Sequence, residues 1–128
     1  MAAHEIEKAA ENFKLAVKYL TLYPPKMHNR PAVIADIKDH LFAAQYQNGD
    51  KSALKRALKA LDDLKKSKED SYNKNVWVTG AHLRIAEMVQ KNNPKLAKEH
   101  LKEAEKIINA DKRLILRRNQ LQKLQKKV

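Results

Sequence analysis

The chain has 128 residues, of which 43% are apolar and 33% are charged, and its formal net charge is +12. This length fits one hydrophobic core, and the even mixing of charged and apolar residues argues against global disorder. The sequence has no cysteine, no run of 18 apolar residues and no visible signal peptide, so disulfides and thiolate metal sites are excluded and we expect an intracellular, cytoplasmic protein without a membrane span.

Apolar residues recur at three- and four-residue steps over most of the chain. This periodicity predicts an all-α fold of five or six helices, arranged as antiparallel hairpins in a stacked helical bundle. The first predicted helix covers residues 3–22 and ends at Pro24-Pro25, because proline disfavours helical geometry in the residue before it. The second begins near Asn29 as N-cap and ends at Gly49, a natural left-handed cap. Its predicted inward face comprises Val33, Ile34, Ile37, Leu41 and Ala44.

Asp50 is the predicted cap of the third helix, and the polar segment 66–75 is the predicted loop to the fourth. Ser71 and Asn75 are both candidate caps for the fourth helix. Gly80 inside that helix indicates either a close helix crossing or a weak start. Its predicted inward stripe comprises Val78, Ala81, His82, Ile85, Ala86 and Val89.

Asn93-Pro94 is a strong start signal for the fifth helix, because a good N-cap is followed by proline in the first helical position. A sixth helix either begins after the segment 109–111 or continues the fifth. We therefore predict a helical-hairpin core over residues 1–111 and a basic amphipathic helix over residues 112–128.

An internal repeat relates residues 39–46 to residues 81–88. Each segment ends a predicted helix and is followed by a short turn and a second helix, which is typical of stacked helical hairpins. The second copy resembles a tetratricopeptide repeat. Its inward residues are similar to that family's small–large–small pattern: Ile85, Met88, Ala97, Leu101 and Ala104. The resemblance implies a concave face of first helices that binds peptides, and hence a protein–protein interaction adaptor.

Positive charge is concentrated at the C-terminus. The 17 residues from 112 to 128 carry seven cations and no acid, whereas the first 50 residues balance to zero. We predict that these cations bind a polyanion, with nucleic acid first and an acidic protein or membrane surface second. The predicted nucleic-acid-binding residues here are Lys112, Arg113, Arg117, Arg118, Lys123, Lys126 and Lys127.

The same segment is amphipathic. On a helical wheel Leu114, Leu121, Leu124 and Val128 fall within roughly 80° of one another, and the lysines lie opposite. One face can therefore dock on the bundle or on a partner while the other presents ammonium groups to phosphates. The competing interpretations are a solvated face with a frayed terminus, and a seam for homo-oligomerisation through the leucine stripe.

A second basic cluster lies on the predicted third helix. Lys51, Lys55 and Lys59 are spaced by four residues and share one face. They are predicted either to extend a nucleic-acid-binding track or to form the exposed side of an amphipathic helix.

The sequence offers no constellation for catalysis or metal binding, and we predict no enzyme activity and no cofactor. No histidine pair has the spacing of a helical zinc site. His40 and His82 occupy matching repeat positions, and we expect them to be half-buried and hydrogen-bonded between hairpins. Our prediction is a non-catalytic basic helical protein that contacts RNA or DNA within a larger assembly, and the alternative is the tetratricopeptide-like adaptor.

Overall fold

The structure is a computed structural model that describes residues 30–128 and six isolated positions before them, at 8, 11, 12, 14, 15 and 18. The described chain contains α1 (Arg30–Gln47), α2 (Ala53–Lys66), α3 (Ser71–Val89), α4 (Pro94–Ala110) and α5 (Ile115–Gln125). No described residue lies in a strand, and the helices pack on one another, so the predicted all-α class is confirmed. Of the first predicted helix, only the six isolated positions are described, and they are helical and exposed.

The chain falls into two compact units, residues 1–69 and 70–128, which we describe separately. The basic segment belongs to the second unit together with α3 and α4. The predicted division of the chain into two domains, residues 1–111 and residues 112–128, remains a prediction. Among the described helices, none combines the length and the apolar character needed to span a lipid bilayer.

The described part of the first unit contains a hairpin of α1 and α2. Gly49 has a φ of +102°, which confirms it as the left-handed residue that ends α1. The predicted inward face of α1 was wrong except for Leu41, since Val33, Ile34, Ile37 and Ala44 are only half-buried. The helix instead buries a different side, which carries the small residues Ala32 and Ala35. Asp39 is buried on that side as well. The buried residues of α1 are Ala32, Ala35, Asp39, Leu41 and Tyr46.

In the second unit α3, α4 and α5 each pack against the other two, which makes a three-helix bundle. All six residues of the inward stripe predicted for α3 are buried, as expected. Helix α4 is capped by Asn93, whose Oδ1 accepts a hydrogen bond of 3.1 Å from the amide of Leu96, as predicted. The cap of α3 differs from the prediction. Asp70 takes that place, and its Oδ2 accepts from the amide of Asn73 at 3.0 Å, so α3 begins within the segment predicted as loop.

A histidine pair joins the two helices of the α3–α4 hairpin. The Nδ1 atoms of His82 and His100 are 2.9 Å apart, with His82 buried and His100 half-buried. This contact lies within one hairpin and not between two hairpins as predicted. Such a bond requires one ring nitrogen to carry a proton and the other to accept it.

Buried leucines and an arginine hold α5 against the bundle. Its leucine stripe is buried, with Leu114, Leu121 and Leu124 all below 8% exposure. Arg117 also reaches across to α3, where its Nε donates to the carbonyl oxygen of Val76 at 3.0 Å. A Cβ placed on Gly80 would lie 2.8 Å from Nη2 of Arg117. A methyl group at this position would therefore require the guanidinium of Arg117 to shift.

We predict that Gly80→Ala is coupled to Arg117. In the parent protein the methyl group makes the guanidinium of Arg117 shift, and the cost is at most that of its charged hydrogen bond to the Val76 carbonyl, about 1.5–3 kcal/mol. In an Arg117→Ala background only the gain in helix propensity remains, so the same substitution should raise the free energy of unfolding by up to about 1 kcal/mol. Urea denaturation of the four proteins of this double-mutant cycle measures the difference.

The matched control for this cycle is Arg118→Ala, because Arg118 lies on the same helix without contacting Gly80. Gly80→Ala should have the same effect with and without Arg118. An equal effect of Gly80→Ala in the parent and in the Arg117→Ala background would show that the two residues are independent.

Candidate functional site

The second unit carries most of the positive charge. Residues 70–128 contain 14 lysines and arginines against six acidic residues, a net charge of +8. All seven cations predicted at the C-terminus lie here, on α5 or in the turns beside it. The structure divides them into two classes, according to whether the charged group binds the protein itself.

Arg113 binds in the turn between α4 and α5. Its Nε and Nη2 donate to the two carboxylate oxygens of Asp111 at 2.8 and 2.7 Å, and its Cζ lies 4.8 Å from the centre of the Tyr72 ring. Asn75 donates to the same carboxylate at 3.2 Å. These groups connect the first two turns of α3 to the α4–α5 turn. Asp111 is nearly buried, with 7% of its side chain exposed.

The carboxyl group of Asp111 has a strongly altered acidity. The guanidinium of Arg113, hydrogen-bonded to it, holds the pKa of Asp111 well below its ordinary value of 3.8, and Asn75 adds to the effect against the opposing cost of desolvation. In return, Asp111 raises the pKa of Arg113 above its ordinary value. This turn is therefore stabilised while the carboxylate is charged, and its arginine is a structural group.

The other two arginines of the segment are also engaged. Arg117 binds the Val76 carbonyl and donates through Nη1 to Oε1 of Gln120 at 2.9 Å. Arg118 donates through Nη2 to the carbonyl oxygen of Ile108 at 3.2 Å, at the C-terminal end of α4. A cation at this end of a helix satisfies free carbonyl groups and is favoured by the helix dipole.

The four lysines differ from the arginines. Lys112, Lys123, Lys126 and Lys127 are all exposed, and none of them forms an ion pair with a described residue. Lys123 is on α5, Lys126 and Lys127 are in the turn that follows it, and Lys112 is in the turn before it. The ammonium groups are thus presented to solvent by a segment that buried leucines anchor in the bundle.

A groove of about 270 Å³ runs between α3 and α5. Its lining includes four cationic side chains and one acidic side chain, Glu87. The lining residues are Gly80, Leu83, Arg84, Glu87, Arg117, Gln120, Lys123, Leu124 and Lys127. The sequence analysis did not select Arg84, which lies 28 residues before Lys112, the first cation of the C-terminal cluster. The signal that identifies it is its four-residue spacing from Gly80, which places both on one face of α3.

The second predicted cluster belongs to the first unit, where Lys55 and Lys59 are on α2 and Lys51 is in the turn before it. Lys59 pairs with Asp63 one turn later, and Lys51 lies 4.5 Å from the centre of the Tyr46 ring. Lys55 is exposed. Arg56 of the same helix pairs with Asp50 at 2.8 Å. This arrangement is typical of the exposed side of an amphipathic helix, with ion pairs that are each worth little.

Two apolar side chains at the start of α5 are exposed. Ile115 and Leu116 have 68% and 66% of their surface accessible, the highest values among the large apolar residues that the structure describes. The helical wheel did not select them, because the buried stripe lies on another side. Within the described part of the chain, no group of three or more histidine, aspartate or glutamate residues is arranged to hold a metal ion.

We predict that Arg113 controls the acidity of Asp111. Arg113→Gln should raise the pKa of Asp111 towards 3.8, because the largest contribution to its depression is removed. Since the pKa in the folded state lies below that of the unfolded chain, the pair stabilises the fold above pH of about 4 and loses this effect as the pH falls further. A carboxyl NMR titration measures the pKa, and urea denaturation at neutral and acidic pH measures the stability.

Arg118→Gln is the control, because it removes a cation from the same segment without touching Asp111. The pKa of Asp111 should stay depressed in that variant. If both substitutions raised the pKa equally, the general positive field of α5 and not the Arg113 contact would be its cause.

Comparisons of the chain with protein-family models, with curated proteins and with solved structures found no significant match. The function is therefore inferred from the chemistry of the residues described above.

Proposed function

We propose that this protein is a non-catalytic binding protein whose second unit contacts a polyanion, RNA or DNA, within a larger assembly. The observation that carries the proposal is the set of exposed lysines on α5 and in the turns beside it, a segment that buried leucines anchor in the bundle. A fixed helix keeps these charges together, so a phosphate backbone can contact several of them at once. Each contact releases condensed counterions and so favours binding at low salt.

Whether the exposed cations are arginines or lysines indicates which part of a nucleic acid they would contact. Arginine reads guanine through its planar fork, but the forks of Arg113, Arg117 and Arg118 already bind the protein. The exposed groups are lysines, which act as point charges towards phosphate. The proposal is therefore one of backbone contact without direct base readout.

The alternative function is a protein–protein adaptor of the tetratricopeptide-like type. The exposed pair Ile115 and Leu116 favours it, because adjacent aliphatic side chains on a surface are typical of contact with a protein partner. In that case the lysines would steer encounter with an acidic protein. The two functions make different predictions for lysine and for aliphatic substitutions.

We predict that replacing Lys123, Lys126 and Lys127 together by glutamine weakens nucleic-acid binding. With single-stranded RNA or DNA, the slope of log affinity against log salt should fall by about 2, which is about 0.7 for each lost phosphate contact. A mobility-shift titration from about 50 to 200 mM salt measures the slope. Circular dichroism should show an unchanged helical fold, because the three side chains are exposed.

Lys8, Lys14 and Lys18 provide the matched control, since they are also exposed and their replacement removes the same charge. That variant should keep most of the salt dependence. Absence of binding by the parent protein at about 50 mM salt would rule out the proposed function. Equal losses in the two triple variants would show attraction by net charge without a defined surface. Capture of a protein partner that fails with Ile115→Ser and Leu116→Ser, but not with the lysine variant, would favour the adaptor.

A further inference from the structure

We infer that the groove between α3 and α5 is a phosphate site, in which Arg84, Lys123 and Lys127 hold the sugar–phosphate backbone of a nucleic acid. This inference rests on the proposed function. It places the binding of phosphates at the groove and not at the exposed lysines outside it, Lys112 and Lys126. It also adds a residue of α3, Arg84, to a surface that the sequence placed on the C-terminal segment alone.

The first argument is convergence of charge from two helices. Arg84 lines the groove from α3, while Lys123 lines it from α5 and Lys127 from the turn after α5. Arg117 closes one part of the lining with its guanidinium fixed on the Val76 carbonyl. A chain of phosphates lying in the groove would meet positive charge on both walls.

The second argument concerns the apolar part of the lining. Leu83 and Leu124 line the groove and are 4% and 7% exposed, so they belong to the core beneath the charged groups. Low-dielectric material beside a charge strengthens its interaction with an ion that enters the groove. The described lining has no aromatic side chain on which a base could stack. The groove is therefore suited to the backbone and not to bases.

Glu87, an exposed acid in the lining, opposes phosphate binding and so provides a test of the site. A phosphate in the groove would be repelled by this carboxylate, which lies one turn from Arg84 on α3. The acid therefore gives the site a specific signature. Its removal should strengthen binding if the groove is occupied, whereas removal of an acid elsewhere on the unit should have less effect.

The first experiment compares two pairs of exposed lysines that carry the same charge. Lys123 and Lys127 line the groove, whereas Lys112 and Lys126 do not. Fluorescence anisotropy with labelled oligo(dT) should give a salt slope lower by about 1.4 in Lys123→Gln/Lys127→Gln, for two phosphate contacts. Lys112→Gln/Lys126→Gln should lower the slope by less than half of that value.

The second experiment uses Glu87→Gln. Oligo(dT) should bind roughly fourfold more tightly to this variant, the effect in water of removing one like charge about 5 Å from a phosphate. Glu99→Gln is the control, because Glu99 is exposed on α4 and does not line the groove. Its effect should be clearly smaller. Thermal unfolding of both variants checks that the bundle is intact.

The third experiment tests contact with the backbone. An abasic oligonucleotide keeps its phosphates but has no bases, and oligo(U) differs from oligo(dT) in its sugar and in lacking the C5-methyl group of thymine. If phosphates alone are held, all three probes should bind within about threefold of one another. A loss of about tenfold with the abasic probe would overturn backbone recognition, because stacking of bases would then supply much of the affinity.

The outcomes separate the groove from the proposed function. Equal losses in the two lysine pairs, together with no gain from Glu87→Gln, would overturn the groove while leaving polyanion binding in place. Failure of the parent protein to bind any of the probes at about 50 mM salt would overturn the proposed function and the groove with it. A selective loss with the groove lysines and a gain with Glu87→Gln would support the site.

Discussion

The candidate binding surface depends on burial of the leucine stripe of α5 against α3 and α4. Leu114, Leu121 and Leu124 are almost completely buried, and full burial of one leucine side chain is worth about 1.5–3 kcal/mol. Three such residues outweigh the ion pairs of the helix surface, each of which contributes at most about 1 kcal/mol. Hydrophobic burial therefore sets the rotation of α5 about its axis. Once that rotation is fixed, the positions of all its cations follow.

Arginine and lysine have separate roles on this segment. The three arginines bind backbone carbonyls or a nearly buried carboxylate within the bundle, where a planar group with several donors can satisfy fixed acceptors. The lysines remain exposed. Their ammonium groups are strongly hydrated, and burial would cost them that hydration. A count of seven cations therefore overstates the free positive charge of the C-terminal segment. The charge available to an outside ligand is mainly that of the lysines.

Much of the fold could be predicted, because it depends on local rules. Asn93 before Pro94 specifies a helix start whatever the tertiary surroundings, and Gly49 has the left-handed conformation expected of a helix end. The prediction of the inward-facing residues of α3 was also correct, because the buried face of that helix follows the helical periodicity of its apolar residues. The face of α1 was wrong because periodicity ranks large aliphatic residues above alanine. Ala32 and Ala35 are nevertheless among the most buried residues of that helix.

The candidate site was predictable only in part, because its details are tertiary. Charge and the helical wheel identified Lys123 and Lys127, but not their position on the wall of a groove. The sequence around Arg117 gives no indication that its guanidinium packs against Gly80, which lies 37 residues earlier in the chain. Arg84 was missed for the same reason, since its partners in the groove come from another helix. Contacts between residues distant in sequence decide which cationic side chains bind the protein itself and which are presented to solvent.

The chemistry of the groove limits the specificity that it could provide. A nucleic acid held only by Arg84 and two lysines would be bound through phosphates, which are the same at every nucleotide. Choice among nucleic acids would then need a second contact. Ile115 and Leu116 lie about two turns before Lys123 on α5, and no phosphate would cover them. Because phosphates and an apolar partner would occupy different ends of this helix, the two candidate functions can operate together. A protein bound at Ile115 and Leu116 would then supply the selectivity that the groove lacks.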